Sequence, residues 1–314
     1  MGRIVTITAN TTIDQTLVIP GYASGTTIRA KRSVVSIGGK PTDVSYILGE
    51  MGVNSLAIGF AANTAGQRAK QILETRGVDV DFIEVDGETR INVVIADEGS
   101  GTQTTITTDT LIVSEAHVAA LEARFDDVLS DAACVMLGGT LPSTLSPSLY
   151  TRWIGLIRGR GVPVLFDADQ PNLAAGLEAR PDFIKPNRDE LGRLIGRPVG
   201  DLADVYSAAR DLVTRFGTTV VATLGAEGAL AVTRDAAWFV PPLEVPVVSA
   251  GGAGDGVMAG LTESVWRGEP IEMGLRRGFA YASAVVQQAG TAQLERREAE
   301  RLLPLVQIEP YPAV

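Results

Sequence analysis

The stretch VVSAGGAGDGVMAGL, residues 247–261, sets four glycines around a single acid, Asp255, where an apolar strand-like run turns helical. Glycines let the backbone turn so that consecutive N–H groups point outward, and a helix start adds positive potential at the same place. Together these make an anion hole. An acid beside such a hole, at the carboxyl end of a strand, can take a proton from a hydroxyl while the N–H groups hold a migrating phosphoryl group. The plainer alternative is a glycine-rich helix start that Asp255 merely caps.

Other chemistry-bearing patterns fail on their spacing. GGK at 38–40 lacks the first glycine and the final Ser or Thr of a P-loop, since Val34 and Pro41 stand there. GDGVMA from Gly254 fits a dinucleotide fingerprint in letters only, without a ribose-binding acid after a following strand. His117, the single histidine, sits on an expected surface helix, which argues against a histidine triad or a histidine-rich metal site. Cys134 is the single cysteine, so no disulfide framework exists, and its place in DAACVMLGG predicts a buried strand thiol.

Stepping between these motifs, apolar strand-like runs alternate with amphipathic helical segments. SLAIGF precedes a helix pattern closed by Gly77; ACVMLGG precedes one with Ser146 as cap, Pro147 in the first turn and Gly161 at the end. PVLFDAD, DFIKPN and TVVATLG follow, with further helices between them. Buried strands separated by helices predict a mostly parallel sheet covered on both faces, with ligands beyond the strands' carboxyl ends. Residues 11–37 and 88–108 break the rhythm: rich in Thr, Val and Ile and cut by Gly turns, they predict inserted antiparallel strands forming a small lid or dimer surface. At 314 residues, with 45% hydrophobic and 20% charged residues, the chain can form one large ordered α/β domain. A net charge of -10 argues against nucleic-acid binding. The start MGRIVTITAN is a strand pattern rather than a signal peptide, and no run is long and apolar enough to span a membrane, so a cytoplasmic location is expected.

Taken in order, ANTTIDQT, SIGGKPTDVSYILGEMGV, GETRINVVI, LGGTLP, DFIKPNRDEL, TLGAEGALAV and AGGAGDGVMAGL resemble the ribokinase-like sugar kinases, also called the phosphofructokinase B family, over essentially the whole chain. The resemblance implies a three-layer αβα sandwich with a mostly parallel central sheet and a small β-sheet lid. It implies ATP and Mg²⁺, in-line phosphoryl transfer, Asp255 as catalytic base, and an anion hole from Gly252, Ala253 and Gly254. Asn187 and Glu190 of NRDE match the element that organises Mg²⁺ and the nucleotide phosphates, largely through water. Lys185 matches a lysine near the ATP phosphates, and Thr223, Gly225 and Gly228 a loop beside the nucleotide. Asp14, Gly38, Gly39 and Lys40 match the acceptor pocket, which would also take Asp43 and Asn92. TRINVVI is similar to the branch that phosphorylates sugar phosphates, where Arg90 would bind the existing phosphate and Thr140 would touch it.

The acceptor signature departs from the family's usual pattern. Pro41 replaces a glycine and Asp43 an asparagine, so Asp43, read as ionised, would only accept from sugar hydroxyls. Gly138 stands where a serine is frequent, and Gly256 where a side chain is usual. Weighing Arg90 and Thr140 against Asp43, the expected acceptor is a ketohexose phosphate, with fructose 1-phosphate first and tagatose 6-phosphate or fructose 6-phosphate next. The alternatives are a kinase of an unphosphorylated sugar or nucleoside, and a non-catalytic sugar- or nucleotide-binding relative. A homodimer formed through the lid is expected.

Overall fold

The computed structural model describes residues 2–312. The chain opens with β1 (Arg3–Thr8), β2 (Thr12–Ile19), β3 (Arg32–Gly38), α1 (Lys40–Glu50), β4 (Ser55–Ala61), α2 (Asn63–Glu74) and β5 (Asp79–Glu84). The short β6 (Asp86–Gly87) and β9 (Leu111–Ile112) flank β7 (Arg90–Asp97) and β8 (Thr102–Ile106). The chain continues through α3 (Glu115–Leu129), β10 (Ala132–Gly138), α4 (Ser148–Arg158), β11 (Val164–Asp167), α5 (Asn172–Leu177), β12 (Phe183–Ile184), the two helices α6 (Arg188–Ile195) and α7 (Leu202–Phe216), and β13 (Thr219–Thr223). The strands β14 (Ala229–Val232) and β15 (Ala237–Val240), the helices α8 (Ala253–Arg267), α9 (Ile271–Val285) and α10 (Arg296–Leu302), and β16 (Glu309–Pro310) complete the fold.

The ten-stranded central sheet is ordered β16-β15-β14-β13-β12-β11-β10-β1-β4-β5. Every pairing from β13 to β5 is parallel, and β14, β15 and β16 extend the edge in antiparallel fashion. Successive strand residues face opposite layers. Val5, Ile7, Val135 and Leu137 pack with α3 to α7, whereas Ile4, Cys134 and Met136 pack with α1, α8, α9 and α10. This is the ribokinase-like αβα sandwich expected from the sequence. Trp153 on α4 anchors the first layer: fully buried, it meets the rings of Phe60, Phe125 and Tyr150 at 6.0–6.2 Å and donates from Nε1 to Glu122. Its truncation to alanine would cost about 3–5 kcal/mol.

Local end signals behave as chain chemistry dictates. Gly77 and Gly161 follow α2 and α4 with φ of 75° and 76°, left-handed conformations suited to glycine. Helix α4 itself starts at Ser148, with Pro147 already in helical dihedrals just before it. His117 is half-buried rather than freely solvated. It completes a capping box with Ser114, whose Oγ accepts from the His117 N–H while Nδ1 accepts from the Ser114 N–H.

A four-stranded sheet, ordered β3-β2-β7-β8, forms from the two segments that broke the rhythm. The expectation of antiparallel strands holds for β2 with β3 and for β7 with β8 but not for the central pair: β2 and β7 are parallel. The intervening β3-α1-β4-α2-β5 segment supplies the long crossover that parallel pairing needs. The register sets Thr12 beside Arg90 and Asp14 beside Asn92.

Candidate active site

From β1 the chain adds β4 and β5 on one side of the sheet, and from β10 it adds β11, β12 and β13 on the other. The reversal leaves a crevice beyond the carboxyl ends of β1 and β10, the place where such sheets bind ligands. A cavity of about 130 Å³ lies there, lined by Thr8, Asn10, Gly39, Lys40, Asp43, Arg90, Gly138, Gly139, Thr140 and Asp169. A larger hollow of about 180 Å³ between α2 and β5 brings together one lysine and one glutamate, Lys70 and Glu84, and lies away from the reversal. At Gly138 (φ 152°) a Cβ would sit 1.9 Å from the Asp167 carbonyl oxygen, so no serine fits this backbone.

Helices α1 and α8 lie in the same layer and pack against each other. Gly252 (φ 85°) turns the chain into α8, and a Cβ on it would stand 2.3 Å from the Ala292 nitrogen. A Cβ on Gly254 would stand 2.9 Å from Lys185 Nζ, so its absence brings that ammonium against the helix start. Asp255 lies in the first turn, 8% exposed, and no side chain caps this helix, which removes the capping alternative. Gly256 has a packing reason: its Cβ would meet the Ala282 nitrogen at 2.7 Å, where α8 and α9 approach backbone to backbone. On α1, Gly39 (φ 97°) is the N-cap and Pro41 falls in the first turn, where a missing N–H breaks no helical bond. The substitution of Pro41 therefore leaves α1 undisturbed. Gly38 lets a carboxylate in, since a Cβ there would lie 2.6 Å from Asp14 Oδ1.

Charges are concentrated between these helices. Lys40 Nζ lies 2.9 Å from Asp167 Oδ1 and 3.0 Å from Asp169 Oδ1; Lys185 Nζ lies 3.0 Å from Asp167 Oδ2. Burial works against the Lys40 charge, but Asp167, Asp169, Glu190 and Asp255 outweigh it and hold the ammonium above its ordinary range. Burial would raise Asp167 too, yet the two lysines keep it below the usual carboxylate value. Asp255 has no such escort: burial and the nearby Asp167 charge, only partly offset by Lys40 and Lys185, raise its carboxyl to about 7. Burial together with Asp255 and Asp14 raises Asp43 well above the carboxylate range. Out of water and near like charges, Asp43 resists ionisation more than an exposed aspartate does.

On the side of the small sheet, Arg90 donates from Nε to Thr12 Oγ1 at 2.8 Å and from Nη2 to Thr140 Oγ1 at 3.0 Å. Burial pulls its guanidinium below its ordinary value, against Asp14, Asp109 and Asp169. Asn92 Nδ2 donates to Asp14 Oδ1 at 2.8 Å, and burial still raises the Asp14 carboxyl despite bonds from Thr291 and Asn92. Thr8 Oγ1, both side-chain polar atoms of Asn10, Thr11 Oγ1, Asp43 Oδ1 and Asn92 Oδ1 are buried without a protein hydrogen-bond partner. Such groups are costly unless something pairs with them.

Further along the carboxyl edge, Asn187 caps α6: its Oδ1 accepts from the Glu190 N–H at 2.9 Å while Glu190 Oε2 accepts from the Asn187 N–H at 2.8 Å. Asn187 bridges to Thr223, and Arg188 pairs with Glu227 in the turn between Gly225 (φ 61°) and Gly228 (φ 93°). These four residues, Asn187, Thr223, Gly225 and Gly228, thus form one edge beside Lys185 but do not line the cavity. Among the described residues no cluster of three or more His, Cys, Asp or Glu could cage a metal. The donor set still fits Mg²⁺, a hard ion that keeps waters and phosphate oxygens as ligands, because the cap uses only Oε2 of Glu190.

Sequence reasoning missed Asp167, Asp169 and Asn10. Each stands just after an apolar run, in LFDAD and TITAN, where polar residues mark the ligand edge of such a sheet. What the sequence could not show is that Asp167 joins Lys40 to Lys185.

A helix start free of side-chain caps, a buried carboxyl within its first turn, two lysines and a polar cavity lie near the sheet reversal. The family model for pfkB family carbohydrate kinases matches residues 4–297. The 1-phosphofructokinase of Vibrio cholerae is 32% identical over 313 residues, 99% of this chain and 98% of the relative. Phosphofructokinase-2 of Escherichia coli, solved in complex with substrates and products, superposes with a TM-score of 0.90 at 26% identity over 96% of this chain and 99% of that one. The same enzyme solved in a tetrameric inhibited form superposes at 0.86 with 25% identity, over 97% and 99% of the two chains. The chain belongs to the pfkB family of carbohydrate kinases. It is an ATP-dependent sugar kinase.

Proposed function

We propose that this kinase transfers the γ-phosphoryl group of ATP to a hydroxyl of a ketohexose phosphate, fructose 1-phosphate first, with Asp255 as the general base. The observation that carries the reading is Arg90: half-buried, hydrogen-bonded to Thr12 and Thr140, and lining the same cavity as Lys40 and Asp43. A planar guanidinium held in this way suits an anion already on the acceptor. The family relatives acting on fructose 1-phosphate support the same choice. Tagatose 6-phosphate and fructose 6-phosphate are the next candidates.

In the proposed reaction the acceptor hydroxyl gives its proton to Asp255 as its oxygen attacks the γ-phosphorus. The bond to the bridging β–γ oxygen breaks, and its electron pair leaves with ADP. The N–H groups of Gly252, Ala253 and Gly254 and the ammonium of Lys185 receive the charge on the transferred group, so catalysis is mostly positioning and electrostatics. Mg²⁺, when bound, would neutralise phosphate charge; Glu190 and Asn187 would hold its waters. Asp14 and Asn92 orient sugar hydroxyls, and the four-stranded sheet serves as a lid over them.

The lid also supports a homodimer. Its edge strand β8 is exposed throughout, and Ile91 and Ile106 present apolar surface at 45% and 53% exposure. Pairing two such sheets covers edges and apolar side chains together. Sedimentation at micromolar concentration should give a dimer; a fully active monomer would rule it out. Charged substrates of this kind are retained inside cells, and among the described residues no helix is long and apolar enough to cross a membrane, so the proposed location is the cytoplasm. The substrate reading is tested by ATP turnover against sugars and sugar phosphates. Preference for an unphosphorylated sugar or a nucleoside, or no turnover at all, would refute it.

A further inference from the structure

One face of the four-stranded sheet runs from the acceptor side of the cavity towards the start of α8. Alternate residues of a strand share a face, and residues paired across strands share it too. Arg90, Asn92, Val94 and Ala96 of β7 therefore lie on one face, with Thr12, Asp14, Thr16 and Val18 of β2 beside them in register. Gln103 of β8 stands opposite Ala96 and ends that row. Ala96 is six residues along the strand from Arg90, about 20 Å at the usual rise.

The far end of this face rests on the body of the protein. Val18, Val34 and Ala96 pack with Ala289 in a small apolar cluster, and a Cβ on Gly290 would stand 3.0 Å from Val34 Cγ1. Beside the cluster, Gln103 Oε1 accepts from Ser249 Oγ at 2.9 Å, and Ser249 Oγ accepts from the Gly251 N–H at 3.2 Å. Ser249 is only 4% exposed. Its turn is also tied to the end of α9, where the Val286 carbonyl accepts from the Val248 and Ser249 N–H groups at 2.7 and 3.2 Å. Gly251 permits the approach of the sheet, because a Cβ there would lie 3.2 Å from Gln103 Nε2. The next residue is Gly252, the N-cap of α8, whose own Cβ position is taken by the backbone of Ala292. Two hydrogen bonds thus join the sheet that carries Arg90 and Asp14 to the residue preceding the anion hole.

We infer that Gln103 is a positioning residue for phosphoryl transfer: through Ser249 it sets the turn at Gly251 and Gly252, and with it the N–H groups that receive the γ-phosphoryl group. This rests on the kinase reading given above. At about 20 Å from Arg90, Gln103 is out of reach of an acceptor phosphate held there, so it acts through the turn. A neutral hydrogen bond from an exposed glutamine adds little net stability, because water replaces it when it opens. What it adds is orientation: a Ser249 hydroxyl whose proton points at Gln103 presents its lone pairs to the Gly251 N–H. Anion-hole donors act on charge that develops in the transition state, so their placement governs turnover more than substrate binding. The sheet that holds the acceptor thereby also sets the groups that receive the transferred charge.

The test is steady-state kinetics of the whole enzyme with ATP and fructose 1-phosphate, comparing wild type, Gln103→Ala, Ser249→Ala and the double variant. Gln103→Ala should lower kcat and kcat/KM together by about 10-fold, the upper end of a neutral hydrogen bond's worth. The acceptor KM should stay within about twofold of wild type, as when an interaction made only in the transition state is removed. Ser249→Ala should match it, and the double variant should fall no further, because both changes break one chain of bonds. Wild-type turnover in Gln103→Ala, a change confined to the acceptor KM, or losses that add in the double variant would each overturn the inference. Gln103 is exposed, so the split between kcat and KM in its variant alone is decisive if Ser249→Ala fails to fold. A wild type that phosphorylates no sugar would instead defeat the kinase reading, whereas an active wild type indifferent to Gln103 would defeat only the positioning role.

Discussion

Near α8, Asp167 is held by both Lys40 and Lys185, whereas near the small sheet Asn10, Thr11 and Asn92 keep buried polar atoms with no protein partner. The first region satisfies its charges internally. It is built to keep its shape whatever enters, as a device for stabilising transferred charge must be. The second leaves hydrogen-bonding capacity open, at a cost in folding free energy that a polar ligand repays on binding. Asp255 and Asp43 stand at the junction, where burial without a full set of partners keeps carboxyls from ionising easily.

The strongest way to break the contrast is Asp255→Asn. It removes proton acceptance while changing little volume, and kcat should fall by about 10²–10⁴ with nucleotide binding retained. Wild-type turnover in this variant would remove Asp255 from the mechanism. Next comes Asp167→Asn, which should leave the buried Lys185 ammonium facing a neutral amide while half-buried Lys40 keeps Asp169. Denaturant unfolding should show a loss of about 3–5 kcal/mol, as when one member of a buried ion pair is deleted. A loss near zero would mean the transfer region is not self-satisfied.

A pH experiment sharpens the junction. Folded Asp255 holds its proton to about 7 while its ordinary value is 3.8, so its contribution to stability is full below that ordinary value and lost as pH rises through about 7. Asp255→Asn abolishes the loss. Its melting temperature should therefore rise relative to wild type between about pH 5 and about pH 8, by the equivalent of a few kcal/mol. A gap that stays constant with pH would contradict the raised value. Turnover should have the opposite dependence, falling as pH drops below about 7 because the base must be ionised.

The contrast was legible in the sequence to different depths. Asp255, its glycines, NRDE and the alternating strands are one-dimensional patterns, and the structure sets the two motifs at the starts of α8 and α6. The reason for Gly138 and Gly256 is a contact between distant backbones, at Asp167 and at Ala282, that no local pattern encodes. The parallel pairing of β2 with β7 was hidden for the same reason: alternation sets which face a residue takes but not the direction of its neighbour. The pairing of Lys40 and Lys185 through Asp167 arises from packing of elements far apart in the chain. Read alone, Asp43 is an ordinary carboxylate; among its neighbours its carboxyl is pushed well above its ordinary value.

The smallest expected change is on the acceptor side. Arg90→Ala should raise KM for the phosphorylated acceptor about 10- to 100-fold with a lesser effect on kcat, since binding to an existing phosphate is shared by ground and transition states. An unchanged KM would take the phosphate away from Arg90.

Most direct of all is phosphorus NMR of the product formed from ATP and fructose 1-phosphate by the unmodified protein. The expected result is loss of the sugar monophosphate signal, with a bisphosphate and ADP appearing in equal amounts and faster than any phosphorylated product from fructose itself. Fructose 1-phosphate left unconsumed while an unphosphorylated sugar or nucleoside gains a phosphate would contradict the assignment of this cavity to a sugar phosphate.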